Sequence, residues 1–268
     1  MPKVVLITGA SSGFGRSTAE HLSENGLCVW GTSRKAGAPA AVAGYTMVGM
    51  DVRDAVSVNN AVATVVEREG RIDVLVNNAG ISLVSPLEET PLETVHAVLD
   101  VNLYGVLRVC QAAAPVMRQN GGGTIINISS IGGLMGLPFR GVYSASKFAL
   151  EGLTESLSME LQAFGISVCM IEPGDFKTSI DQNRLEVVLG EDSPYGGMSA
   201  AVEEIANLQV KKAAGPALMG PTIYKIIHSR KRRLRYKIGS PTEKLSVLLK
   251  KVLPGRMFEK IILGYYKS

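Results

Sequence analysis

Short apolar runs rich in β-branched residues alternate with stretches of helical length along most of this chain. The runs cover residues 4–8, 27–33, 45–50, 72–77, 124–129 and 166–172, and a seventh is expected at 235–239. Helical patterns occupy 15–25, 55–69, 92–118 and 143–164. Strands that alternate with helices imply a parallel sheet covered on both faces. The near-continuous apolar character of the runs fits strands buried on both sides. At 268 residues the chain can bury one substantial core. The expected architecture is a single α/β domain: a doubly wound parallel sheet of about seven strands, helices on both faces, and a C-terminal helical extension. Residues 1–239 are assigned to the α/β body and 240–268 to the extension.

The alternation fails between about 175 and 220, where Ser193-Pro194-Tyr195-Gly196-Gly197 and Gly215-Pro216 predict loop plus short helix. An insertion directly after a strand's C-terminal end sits where open α/β sheets bind ligands, so this region is a candidate lid over a substrate.

The first run leads into Thr8-Gly9-Ala10-Ser11-Ser12-Gly13-Phe14-Gly15 and then a helix. Glycines here permit a tight turn and close approach of the backbone to a pyrophosphate, and the helix N-terminus offers unpaired N–H groups and a positive dipole end. Strand, glycine-rich turn and helix together point to a Rossmann-type dinucleotide site, although either Gly9 or Gly13 could simply shape a loop. The end of the second strand selects the cofactor, because an acid there holds ribose hydroxyls whereas an arginine accommodates a 2′-phosphate. No Asp or Glu occurs between Glu24 and Asp51; the strand ends in Gly31-Thr32-Ser33-Arg34, followed by Lys35. A planar guanidinium suits phosphate, so NADP(H) is expected over NAD(H), with a solvated loop arginine as the plainer alternative. Asp51-Val52 ends the third run, and Asp51 is equally readable as a helix cap. Asn77-Asn78-Ala79-Gly80 ends the fourth, where small residues let backbone approach a ligand.

Tyr143-Ser144-Ala145-Ser146-Lys147 opens a helix, and the four-residue spacing places Tyr143 and Lys147 on one face. A phenol ionises near ~10, too high for a base at neutral pH, and a nearby ammonium favours the phenolate. Taken alone the pair says little. Ser130 precedes Tyr143 by thirteen residues, with Ser129 as the competing choice; Pro173-Gly174 and Thr178 follow the sixth run. Asn102 lies inside the 92–118 helical pattern, where an exposed helical asparagine is the simplest reading.

Together these motifs, over residues 1 to about 180, resemble the short-chain dehydrogenase/reductase family. They are the TGxxxGxG turn, the NNAG tetrapeptide, the serine at its spacing, YxxxK, and PGxxxT. The resemblance implies that Asp51 and Val52 contact adenine and that Asn78, Ala79 and Gly80 line the adenosine side. It implies that Gly9, Ser11, Ser12, Gly13, Phe14 and Gly15 hold the pyrophosphate end, with Ser33 and Arg34 at the ribose. Pro173, Gly174, Phe176 and Thr178 would hold the nicotinamide; the family more often has Val or Ile at the position of Phe176. Tyr143 would be the proton-transfer residue and Ser130 would polarise the substrate oxygen. Lys147 would orient the nicotinamide ribose and tune Tyr143, and Asn102 would support a proton relay through a held water.

An apolar content of 46% with 19% charged residues reads as globular. No run of eighteen apolar residues predicts a membrane span, and the N-terminal apolar stretch is too short for a signal peptide. Cys28, Cys110 and Cys169 are far apart without a CxxC spacing, so neither disulfides nor zinc is expected, and the cytosol is the default compartment. His21, His96 and His228 resemble no metal-ligand set.

Residues 211–268 hold 15 Lys/Arg against 2 Glu, a net +13, whereas residues 1–210 carry a net −9. Apolar and basic residues mix at helical spacing there. Two readings stay open: a basic amphipathic element on an anionic membrane surface, or helices packed over the substrate cleft with a solvated basic face, the latter preferred. Nucleic acid is not expected, since no binding motif is present. Such extensions resemble those of hydroxysteroid- and retinol-dehydrogenase-like members, which implies a lipophilic alcohol or carbonyl substrate. A 3-oxoacyl-thioester reductase and a non-catalytic NADPH-sensing protein are the alternatives. Surplus apolar surface on the 92–118 and 143–164 helices predicts a homodimer or homotetramer.

Overall fold

The computed structural model describes residues 1–177 and 184–266. In chain order its elements are β1 (Val4–Ile7), α1 (Gly13–Glu24), β2 (Cys28–Ser33), β3 (Ala40–Val42), β4 (Tyr45–Gly49), α2 (Ala55–Glu69), β5 (Val74–Asn77), α3 (Leu92–Leu99), α4 (Gly105–Gln119) and β6 (Gly123–Ile128). Then come α5 (Gly141–Gln162), β7 (Ile166–Pro173), α6 (Gly196–Lys212), α7 (Met219–His228), β8 (Arg235–Ile238), α8 (Pro241–Val252) and α9 (Gly255–Tyr265).

The strands form an eight-stranded sheet in the order β3-β4-β2-β1-β5-β6-β7-β8. Every pairing is parallel except β3 with β4. The winding reverses between β1 and β5, which opens a crevice at the C-terminal ends of those two strands. The expected doubly wound α/β sheet is therefore present, with one more strand than anticipated. The addition, β3, is a three-residue exposed edge strand turned back on β4 through Ala43 and Gly44, both at positive φ.

Period-two alternation sorts the strand residues into two cores. Leu6, Trp30, Val48, Leu75 and Ile125 pack on one face with Val58, Val62 and Val65 of α2, Val109 and Met117 of α4, and Leu150 of α5. Val5, Ile7, Val29, Val76, Ile126 and Ile171 pack on the other with Ala19 and Leu22 of α1 and Ile223, Ile226 and Ile227 of α7. Thus α7, the start of the basic segment, is a sheet-covering helix rather than part of a lid.

A smaller cluster joins the chain's end to its middle. Val247 of α8 and Phe258 of α9 bury against Met135, with Ile131, Leu134 and Leu137 around them. The C-terminal helices thus sit on the loop between β6 and α5. In the 175–220 region the helix is longer than expected: α6 spans 17 residues.

Candidate functional site

At the crevice the turn after β1 is shaped by backbone that favours glycine, with Gly9 at φ +67. A Cβ on Gly9 would stand 3.0 Å from the Ala79 Cα beyond β5, and one on Gly15 would overlap the Gly9 carbonyl oxygen. Gly15 is buried and does not line the cleft; it lets α1 start close to the turn. Thr8 couples the two strand ends: its Oγ1 accepts from the backbone N–H groups of Asn78 and Ala79, each at 3.0 Å. Asn78 Nδ2 donates back to the carbonyls of Thr8 and Gly9. Thr8 opens the TGxxxGxG turn in the sequence, but its side-chain coupling to the end of β5 is non-local and leaves no mark there.

The resulting cleft has a volume of about 520 Å³. The α1 N-terminus enters it through Ser11, Ser12, Gly13 and Phe14, with no acidic residue in the helix's first turn. Ser33 and Arg34 close one end of the cleft, alongside Asp51 and Val52. Arg34 is exposed there. Asp51 is gripped by Arg53, whose hydrogen bonds hold the carboxyl below the usual carboxylate range. Asp54 caps α2, accepting from Val56 N at 2.9 Å, so the cap reading of Asp51 is set aside. Asn78, Ala79 and Gly80 line the middle.

At the opposite end stand Ser130, Tyr143 and Lys147, with Pro173, Gly174 and Phe176 facing them. Phe176 is buried and packs edge-on against Phe14 with ring centroids 5.0 Å apart. Thr178 lies outside the described residues. A Cβ on Gly132 would lie 3.4 Å from both Ser130 Oγ and Tyr143 Cε1, so those two groups face each other across one small space. Ser130 Oγ accepts from Gly132 N at 3.0 Å, which leaves its own proton to donate. Ser129 is committed elsewhere, donating to Glu151 Oε1 at 2.5 Å.

Lys147, one helical turn beyond Tyr143, is only 5% exposed. Its Nζ donates to the Ile128 carbonyl at 2.9 Å and lies 5.8 Å from the Tyr143 ring centroid. Burial lowers the ammonium's pKa to about 8, opposed by the charge of Glu151.

Asn102 is fully buried, not the exposed helical residue its neighbours predicted. Residues Asp100–Tyr104 form a π-helical turn joining α3 to α4, and Asn102 sits within it. Its Oδ1 accepts from Ile81 N at 2.9 Å; its Nδ2 donates to Ile81 O at 3.0 Å and to Ser146 Oγ at 3.1 Å. A Cβ on Gly80 would lie 3.4 Å from Asn102 Oδ1 and 3.9 Å from Lys147 Nζ, so the two polar atoms flank the same glycine.

Sequence reasoning missed the layer behind these residues. Glu151 also pairs with Arg235 of β8 at 3.0 Å, and Arg235 meets Glu155 and, at 3.2 Å, the fully buried Glu172 of β7. Burial and the neighbouring Glu151 push the Glu172 carboxyl above its ordinary range, against the pull of Lys237 and Arg235. Arg140 and Asp175 stand 3.8 Å apart on the cleft wall. A second recess of about 1040 Å³ shares Asp175 and Phe176 with the cleft and is bordered by Arg233, Lys237 and Lys244. Among the described residues no group of three His, Cys, Asp or Glu is placed to hold a metal, and no helix is long and apolar enough to cross a membrane.

A glycine cradle facing Ala79, an α1 start without acids and a polar cluster at the far end fit an extended dinucleotide. Residues 3–187 match the profile described as short chain dehydrogenase, and the chain belongs to that family of oxidoreductases. The family binds a nicotinamide cofactor. The chain is 40% identical to a 3-ketodihydrosphingosine reductase of Bacteroides thetaiotaomicron, over 99% of this chain and 98% of that protein. It is 44% identical to human 17-beta-hydroxysteroid dehydrogenase type 1 over 70% of this chain and 60% of the other. A short chain dehydrogenase/reductase of Burkholderia phymatum, solved in complex with NAD, superposes with a TM-score of 0.80 at 28% identity, covering 92% of each chain.

Proposed function

We propose that this chain is an NADP(H)-dependent oxidoreductase acting on a lipophilic substrate, interconverting a ketone and a secondary alcohol or an aldehyde and a primary alcohol. The observation that carries this reading is the convergence of Ser130, Tyr143 and Lys147 at one end of the dinucleotide-sized cleft, with Asn102 buried behind them. Bound nicotinamide would supply or take up the hydride. In reduction Tyr143 donates its hydroxyl proton to the carbonyl oxygen; in oxidation it removes it. Ser130 donates a hydrogen bond to the same oxygen, using the proton that its contact with Gly132 leaves available. The Lys147 ammonium favours the phenolate of Tyr143 and orients the nicotinamide ribose. Asn102 anchors Ile81, and its second Oδ1 lone pair would accept from the held water that carries a proton relay to Lys147.

Arg34 favours NADP(H), because a cation and no acid follows β2. Among lipophilic substrates a long-chain ketone is preferred, on the end-to-end likeness to the sphingolipid-type reductase. The apolar packing of α8 and α9 on the loop that leads from Ser130 toward Tyr143 is consistent with residues 240–268 serving as one wall of the substrate site, with 175–220 as the other. A 3-oxoacyl thioester is the second reading, favoured by the basic border of the adjacent recess. We assign the chain to the cytosol as a homodimer or homotetramer pairing through α4 and α5, where Phe148 and Met159 of α5 stay exposed, with Tyr104 just before α4 and Phe164 just after α5.

The test is cofactor oxidation measured over long-chain 3-ketones, steroids, retinoids and acyl thioesters, with NADPH and NADH side by side. Turnover with NADPH on apolar ketones is expected. Turnover confined to acyl thioesters moves the assignment to the second reading. Tight NADPH binding with no turnover on any of them defeats the enzymatic assignment.

A further inference from the structure

Helices α8 and α9 are each used twice. Their inner faces bury Val247 and Phe258 against the 131–137 loop. Their outer faces are apolar as well. Leu245, Leu248 and Val252 recur at helical spacing on α8, with Leu248 at 55% and Val252 at 72% exposure; Met257 and Ile261 do the same on α9. Lys244 and Lys251 flank the first stripe, and Arg256 and Lys260 the second, all exposed. Of the acids on these helices, Glu243 is turned inward, its carboxylate holding Ser240 N and the Asp175 N–H. Glu259 is exposed and engaged by Arg256 at 3.1 Å.

Apolar stripes bordered by cations on two consecutive surface helices match the chemistry of a bilayer interface. The apolar side chains enter the acyl boundary, and lysine stems lie along it with their ammonium groups at the lipid phosphates. The charge distribution fixes the sign of the surface. Residues 241–266 hold five Lys/Arg against two Glu, a net +3, within a basic segment opposite in sign to the net −9 of residues 1–210, so an anionic bilayer attracts this face and repels the body. A second copy is a poorer occupant, since a two-fold contact would press two copies of the same net-positive face together.

We propose that the outer faces of α8 and α9 dock the protein on an anionic lipid bilayer. Docking there brings the 131–137 loop, and with it the Ser130 end of the cleft, next to the membrane. The proposal concerns binding alone and stands apart from the chemistry in the cleft.

The test is co-sedimentation of the full chain with vesicles of pure phosphatidylcholine and of phosphatidylcholine with 30% phosphatidylglycerol. Wild type should sediment with the anionic vesicles at low salt, at least fivefold more than with the neutral ones, and be released by 0.5 M salt. The double variant Leu248→Asp/Ile261→Asp, at exposed positions, should lose most of that binding. So should the triple variant Lys244→Glu/Lys251→Glu/Lys260→Glu, which leaves the apolar stripes in place. Absence of sedimentation overturns the proposal, as does equal binding to both vesicle types or unchanged binding by both variants. Light scattering that shows wild type as a larger oligomer than the double variant also overturns it, because a second copy then covers the stripe.

Discussion

Tyr143 and Lys147 can be tested separately because they act on different observables. Tyr143→Phe removes the transferable proton but keeps the ring beside Gly132 and Lys147. Turnover should fall by roughly 10²–10⁴-fold, the scale of a lost general acid–base, while NADPH affinity measured by fluorescence titration stays within about twofold. Lys147 has a stability signature in the cofactor-free protein. Its folded pKa of about 8 lies below the ordinary lysine value of 10.5. Between those values the unfolded chain binds the extra proton, so folding stability rises with pH across that window. Relative to Lys147→Met, wild type should gain up to about 3 kcal/mol from pH 7 to pH 11, read from denaturant midpoints. A gap that does not change with pH would mean that the ammonium is not desolvated. Arg34→Ala should weaken NADPH by roughly 1–3 kcal/mol, the scale of a charged hydrogen bond, and NADH far less. Equal losses would remove Arg34 as the selector.

At the scale of elements, the strands and the turn after β1 were legible because their signals are local. A buried parallel strand is a run of apolar residues, and a glycine-rich turn between strand and helix stands within a dozen positions. What escaped was non-local or conditional. β3 is three exposed residues with no buried face to leave a periodic imprint. The π-helical turn at Asp100–Tyr104 keeps the helical pattern of its neighbours, so the pattern alone does not show that Asn102 turns inward to Ile81, and only the family resemblance drew it to the site. Glu151 looks like a surface residue of α5 until β8 brings Arg235 beside it. The α3–α4 junction gives the test at this scale. Asn102→Leu leaves the Ile81 N–H and carbonyl without their partner inside the protein, a cost of about 1–3 kcal/mol per buried group left unpaired. The melting temperature should drop by several degrees, and kcat should fall more than the affinity for NADPH. Retention of both would show that Asn102 neither anchors nor relays.

For the molecule as a whole, the exposed apolar residues of α5 bear on assembly. Phe148→Asp/Met159→Asp should convert a dimer or tetramer to a smaller species in light scattering without touching the cleft-lining residues. An unchanged mass would place the interface elsewhere. The Arg235 bridge has a further consequence, for how the polypeptide can be cut. The family profile matches only as far as residue 187, yet the two interior acids Glu151 of α5 and Glu172 of β7 owe their counter-ions to a strand some fifty positions downstream. A fragment trimmed at the homology border would keep every recognisable motif and still strand Glu151 and Glu172 in a low-dielectric interior. Such a fragment should be aggregation-prone at neutral pH, with the defect easing as acid neutralises the orphaned carboxylates. The smallest autonomous folding unit of this chain is therefore expected to reach well past residue 187.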